Sequence, residues 1–149
     1  KLAKEGNPEA IKFKRVMLEK DSFDFSFSGL KTAVLNYINS MRQSGKEVNN
    51  ADVAAGFQAA VIDVLVKKTM DAARTLKRDK LVLAGGVAAN SMLRKSLQEA
   101  CDREGIRLYL PPMSLCTDNA AMIGVSAYYK YMAHGADDLS LDADPSLDF

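Results

Sequence analysis

The sequence predicts a helix-rich α/β fold with about three strands, and two observations carry that expectation. From Asn50 onward the apolar periodicity reads helix, strand, helix, strand, helix. That order favours parallel strands joined by helical crossovers. Lys80-Leu-Val-Leu-Ala84 and Ile106–Leu110 are also short and nearly continuous in apolar residues, as strands of parallel sheets are.

The elements follow in order. Residues 1–12 are polar, and Gly6-Asn7-Pro8 breaks any helix there. Phe23-Asp-Phe-Ser-Phe27 alternates apolar and polar, the period of a strand with one buried face. A helix opens at Ser28-Gly-Leu-Lys31, carries Leu30, Val34 and Ile38 on one stripe with Leu35 beside them, and ends near Ser44-Gly45. Asn49-Asn-Ala-Asp52 can cap a long helix reaching Leu76, with Val53, Phe57, Val61, Val64 and Leu65 as its apolar stripe. After the strand Lys80–Ala84 a helix runs from Asn90 or Ser91 to about Glu104 and stops at Gly105. Pro111-Pro112 halts the strand Ile106–Leu110. The last helix is expected from Thr117 or Asp118 to about Met132. Three strands leave sheet edges and faces uncovered, so residues 1–149 are expected to be a piece of a larger fold that can self-associate through those edges.

Bulk properties exclude several classes. At 149 residues and 48% hydrophobic the chain can build a core and is not disordered. No run is long and apolar enough to cross a bilayer, and the start carries no secretion signal, so a cytoplasmic location is expected. Cys101 and Cys116 lie far apart with no CxxC and are expected to be reduced and mostly buried. Residues 1–100 hold 17 Lys/Arg against 11 Asp/Glu, and residues 101–149 hold 3 against 8. A basic body with an irregular acidic tail over 135–149 permits a polyanionic partner without demanding one. The single histidine, His134, excludes any His pair within this chain. It sits near a helix C-terminus, which favours a positive charge and a structural role.

Two stretches can carry chemistry. In Leu81-Val-Leu-Ala-Gly-Gly-Val-Ala-Ala-Asn90, Gly85-Gly86 follows a strand directly and precedes a helix. Without Cβ atoms the backbone can turn tightly and be approached by a ligand, and helix N–H groups favour an anion there. Asn90 can read a polar ligand edge or act as an ordinary helix cap. Neither a P-loop nor a GxGxxG fingerprint is present. In Cys116-Thr-Asp-Asn-Ala-Ala-Met-Ile-Gly124, Asp118 can cap the last helix or supply one hard oxygen to a divalent metal. Ala120, Ala121, Gly124, Ser126 and Ala127 form a small-residue face suited to a close neighbour. If the two strands are neighbours, Asn90 and Asp118 should face one cleft. Lys67, Lys68, Arg74, Lys77, Arg78 and Lys80 form a basic cluster that could meet nucleic-acid phosphates or simply face solvent, and Lys31 is a further phosphate candidate.

Asp24-Phe-Ser-Phe-Ser-Gly-Leu-Lys-Thr-Ala33, Ala84-Gly-Gly-Val-Ala-Ala-Asn90 and Cys116–Gly124 together resemble the C-terminal part of the bacterial TsaD family. These are tRNA N6-adenosine threonylcarbamoyltransferases, formerly called O-sialoglycoprotein endopeptidases. The resemblance implies a partial actin-like lobe (ASKHA, ribonuclease H-like) with a ligand between two lobes. It implies transfer of threonylcarbamoyl from threonylcarbamoyl-AMP to N6 of the adenosine beside the anticodon, in tRNAs reading codons that begin with A. It assigns Asn90, Gly85 and Gly86 to the adenylate or an ATP-type nucleotide, and Asp118 to one divalent metal, iron or zinc. The implied partners are tRNA and TsaB-like and TsaE-like subunits, with no membrane.

The family's two metal-ligating histidines, its upstream Ser-Gly-Gly loop and its acidic substrate contacts have no match here. This stretch alone is therefore expected to lack transferase activity and tight metal binding. The competing readings are another actin-like ATPase such as a sugar kinase, which calls for a catalytic Asp and phosphate loops, and a non-catalytic actin-like scaffold subunit.

Overall fold

The computed structural model describes residues 1–16, 22–142 and 146. Its helices and strands are α1 (Leu30–Gln43), α2 (Asn50–Thr75), β1 (Lys80–Val82), α3 (Ser91–Glu104), β2 (Arg107–Tyr109) and α4 (Ala120–His134). Short 3-10 turns occupy Leu2–Lys4, Gly86–Ala89 and Met113–Leu115. The expected acidic tail includes residues 143–145 and 147–149, which lie outside the described residues; Gly135–Asp142 carries no helix or strand.

The sheet has two strands, paired in parallel, with Lys80 opposite Arg107, Leu81 opposite Leu108 and Val82 opposite Tyr109. Arg107 N–H donates to Asp79 O at 2.8 Å and Leu83 N–H to Tyr109 O at 3.1 Å, so pairing continues just beyond each strand. Parallel strands need a crossover, and α3 supplies it. Its inner face carries Leu97, Ala100 and Cys101, which pack with Met70 and Ala73 of α2 and with Ile106. Leu81, Leu83 and Leu108 meet that cluster from the sheet. Period-2 geometry sends Val82 and Tyr109 to the opposite face. There Val82 is 70% exposed and the Arg107 guanidinium lies 5.1 Å from the centre of the Tyr109 ring. The continuous apolar strand therefore does not mean burial on both faces: among the described residues only one face is covered.

A second core lies at the other end of α2. Phe13, Leu30, Val53 and Ala60 are its buried residues, with Val34, Tyr37 and Ile38 of α1 packed against them. Phe13 meets Tyr37 edge to face, 6.1 Å between ring centres. The expected stripes hold in part: Leu30, Val53 and Val64 are buried, but Leu35 and Phe57 are exposed. The N-terminal segment reaches this core by running against α2. A Cβ on Gly56 would lie 2.3 Å from Ile11 O, so the helix surface must be bare at that point.

The helix caps explain where α2 and α3 begin. Asn49 Oδ1 accepts from the N–H groups of Ala51 and Asp52 at the start of α2. Between α2 and α3, Arg74 donates from Nε to Glu104 at 2.8 Å and from Nη1 to Asp71 at 2.7 Å. The hydrogen bond from Arg74 holds the Glu104 carboxyl below the usual carboxylate range.

Two expectations fail. Residues 23–27 form no strand, which leaves two strands among the described residues rather than three. Period-2 alternation supplies a face, but a strand also needs a neighbour to take its N–H and C=O groups. Among the described residues none is offered, and Phe23, Phe25 and Phe27 are 39%, 46% and 40% exposed. The segment is tied instead by the buried Lys68, whose Nζ donates to Ser22 O at 2.5 Å. The small-residue face of α4 also finds no close neighbour among the described residues: α4 has no buried residue, and Ile123, Tyr129 and Met132 are 61%, 68% and 66% exposed.

Gly56→Ala should destabilise the chain by about 1–3 kcal/mol, because the added methyl must displace Ile11 or α2. Urea unfolding measures this, and Ala60→Gly in the same helix serves as a comparison that adds no bulk.

Candidate functional site

Gly85 and Gly86 leave the C-terminal end of β1. Gly85 has φ 87° and ψ 172°, a conformation open essentially to glycine alone. Both glycines are exposed, and no atom lies within 4 Å of where a Cβ would stand on either. The chain then makes the 3-10 turn Gly86–Ala89 before α3, which begins at Ser91 as expected. Asn90 is the α3 cap: its Oδ1 accepts from Met92 N–H and Leu93 N–H, both at 3.0 Å. Two of the N–H groups that could have held an anion are thereby occupied. Asn90 Nδ2 donates to Gln58 Oε1 at 3.2 Å, which leaves one amide hydrogen for another acceptor.

Asn90 borders two hollows. One is lined by Lys1, Lys4, Gln58, Ser91 and Lys95 among others. The other is more apolar and includes Phe57, Val61, Leu65, Val87 and Leu93. Three lysines ring the first and none of its lining groups is acidic, so it offers a cationic rim beside the Asn90 amide.

The second loop leaves β2 through Pro111-Pro112 and the turn Met113–Leu115. Here the structure corrects the expected start of the last helix. Asn119, not Asp118, is the α4 cap, with Oδ1 accepting from Met122 N–H at 3.0 Å. Asn119 Nδ2 also donates to Thr117 O at 2.9 Å. Asp118 lies one residue before the cap and is exposed. Its carboxylate is therefore not consumed by capping.

Arg94 joins the two loops, and sequence reasoning missed it. Its Nε donates to Ala88 O, and its Nη2 donates to Pro111 O at 2.7 Å and to Cys116 Sγ at 3.0 Å. Cys116 is buried, and its thiol in turn donates to Pro112 O at 3.5 Å. The strands are neighbours as expected, and both loops leave the same edge. The structure does not carry Asp118 into either hollow at Asn90, since neither lining includes it.

A metal fits here in one respect only. Asp118 is an exposed carboxylate free of capping duty, suited to one coordination position. No group of three or more His, Cys, Asp or Glu side chains able to hold a metal occurs among the described residues. His134 ends α4, which begins at Ala120, so a rise of 1.5 Å per residue puts it about 20 Å from Ala120, at the opposite end of the helix from Asp118.

The basic cluster divides. Lys67 pairs with Asp71, Arg74 with Asp71 and Glu104, and Lys68 is buried. Lys77, Arg78 and Lys80 face solvent. Lys31 is exposed on α1, beside a groove lined by Val34, Leu35, Val53 and Phe57, an apolar setting for a phosphate contact. Cys101 and Cys116 are both buried and unpaired, as expected.

A family model described as TsaD: tRNA N6-adenosine threonylcarbamoyltransferase matches residues 1–125, a span that includes both loops. The tRNA N6-adenosine threonylcarbamoyltransferase of Moorella thermoacetica is 58% identical over 147 residues. Those of Desulfitobacterium hafniense (strain Y51) and Clostridium botulinum (strain Kyoto) are 54% and 52% identical. Each alignment covers 99% of this chain and 43% of the relative, so the chain spans less than half the length of these relatives.

The capping assignments give a direct test. Asn119→Ala and Asn90→Ala should each cost about 1 kcal/mol of stability, and Asp118→Ala close to none. Thermal or urea unfolding of the three variants measures this. A loss at Asp118 equal to that at Asn119 would return Asp118 to the capping role.

Proposed function

The chain belongs to the TsaD family, and on that premise we propose that it forms part of an enzyme transferring threonylcarbamoyl from threonylcarbamoyl-AMP to N6 of the adenosine adjacent to the tRNA anticodon. The single observation that carries the assignment of roles is the freedom of the Asp118 carboxylate, since Asn119 caps α4 in its place. Asp118 supplies one ligand to a divalent metal, iron or zinc. The other ligands come from parts of the longer protein that this chain does not contain. Such a metal, when bound, polarises the carbamoyl group and offsets charge that develops on it.

Gly85, Gly86 and Asn90 form the nucleotide side. The bare glycine turn lets the adenylate approach the backbone. Asn90 keeps one Nδ2 hydrogen after capping α3 and binding Gln58, so it acts toward the ligand as a donor, to a hydroxyl or phosphate oxygen or a ring nitrogen. In the transfer, N6 of adenosine forms a bond to the carbamoyl carbon. The bond from that carbon to the phosphate oxygen breaks, AMP leaves as an anion, and N6 gives up one proton.

The fold extends to an actin-like lobe whose partner lobe closes over these loops. tRNA is the polyanionic substrate, TsaB-like and TsaE-like subunits are the protein partners, and the setting is cytoplasmic. No helix among the described residues is long and apolar enough to cross a membrane. Taken alone, these 149 residues supply too few ligands and contacts for turnover.

The test uses the intact protein that contains this sequence. Asp118→Asn should lower bound metal and transfer rate together by at least about tenfold, since even groups that only support a ligand cost that much. Full metal content and full transfer in a folded Asp118→Asn protein would remove the carboxylate from the site, whereas no transfer by the unsubstituted intact protein would favour the scaffold reading.

A further inference from the structure

We infer that Arg94 is a positioning residue for the proposed transfer, a guanidinium staple that fixes the nucleotide-side loop against the Asp118 loop; the inference rests on the function proposed above. One side chain contacts both segments that leave the sheet edge: Ala88 O in the first, and Pro111 O and Cys116 Sγ in the second. Ala88 and Cys116 are 0% and 3% exposed, so the staple lies beneath the loops rather than on their surface. The two segments share no strand pairing beyond Leu83 and Tyr109. Past that point the glycine turn on one side and the proline pair on the other offer no ladder to keep them together.

The location is costly, which argues for a role. Arg94 lies just past the first turn of α3, where the helix dipole disfavours a cation. The cost is offset because a helical side chain leans toward the N-terminus, and so reaches back over the loops. A planar guanidinium can then serve acceptors in two directions at once, Nε toward Ala88 and Nη2 toward Pro111 and Cys116. A lysine ammonium is a point charge on a flexible stem and is less suited to hold both segments in one plane. Ala88 lies two residues before Asn90, and Cys116 two residues before Asp118. The staple thus sets the spacing between the donor amide and the carboxylate without touching the substrate.

In the intact protein that contains this sequence, with labelling read at each thiol by mass spectrometry, Cys116 reports on the staple, and Cys101, fully buried between α2, α3 and the sheet, reports on global unfolding. Arg94→Ala should raise maleimide labelling of Cys116 by about tenfold or more, as loss of charged hydrogen bonds shifts local opening, while Cys101 stays protected. Arg94→Lys should give an intermediate rate at Cys116. In the intact protein, Arg94→Ala should lower kcat for threonylcarbamoyl transfer by at least the same factor with KM for tRNA unchanged, and Arg94→Lys should restore part of it. Unchanged Cys116 labelling in either variant overturns the staple. Opening of Cys116 with an unchanged kcat overturns its positioning role. Equal rises at both thiols in Arg94→Lys would mark Arg94 as a general stability residue and also overturn the inference. Failure of the function reading is separate: it appears as no threonylcarbamoyl transfer by the unsubstituted intact protein, whatever the labelling of Cys116 shows.

Discussion

The parallel pairing of β1 and β2 is the constraint on which the rest depends. With Lys80 opposite Arg107 and Val82 opposite Tyr109, both strands end at the same edge. An antiparallel pair would have sent the glycine turn and the Asp118 loop to opposite ends of the sheet. The crossover makes the pairing possible, and α3 can serve as one because Leu97, Ala100 and Cys101 give it an apolar face that packs on α2 and the strands. Core packing therefore decides where the polar loops emerge, before any of their side chains acts.

At that edge the polar groups are divided between structure and chemistry. Asn90 and Asn119 spend their side-chain oxygens on helix N–H groups, and Arg94 spends its guanidinium on loop carbonyls and a thiol. Each of these satisfies a backbone group that would otherwise be unpaired. What remains for a ligand is one amide hydrogen of Asn90 and the Asp118 carboxylate, beside an exposed glycine turn whose Gly85 carbonyl accepts from Ala88 N–H. These are the groups that the proposed function assigns to the nucleotide and the metal.

Helices were legible in the sequence because their signals are local. Asn49 and Asn90 precede strong apolar periodicity, Gly105 follows it, and α2 and α3 begin and end where those residues predict. Phe23–Phe27 was misread because alternation is local while strand pairing is not. The start of the last helix lies past the expected Thr117 or Asp118 because Asp and Asn are equally good caps and stand side by side; only geometry shows that Asn119 does the capping. Arg94 left no signal, since an arginine early in an amphipathic helix reads as a solvated charge until the two loops are seen to converge beneath it. The small-residue face of α4 was legible, and no described residue buries any part of that helix. The resemblance of three separated motifs revealed the family, which no single motif could have done.

The central claim is that the glycine turn and the Asp118 loop share one edge, and paramagnetic relaxation tests it most directly. A nitroxide would be attached through Asp118→Cys in a Cys101→Ala, Cys116→Ser background of the 149-residue chain. The account predicts strong broadening of the amide signals of Gly85–Asn90 and little effect on Asp79 and Arg107 at the far end of the strands. Broadening centred on Asp79 and Arg107, with Gly85–Asn90 unaffected, would contradict the parallel arrangement and the shared edge built on it.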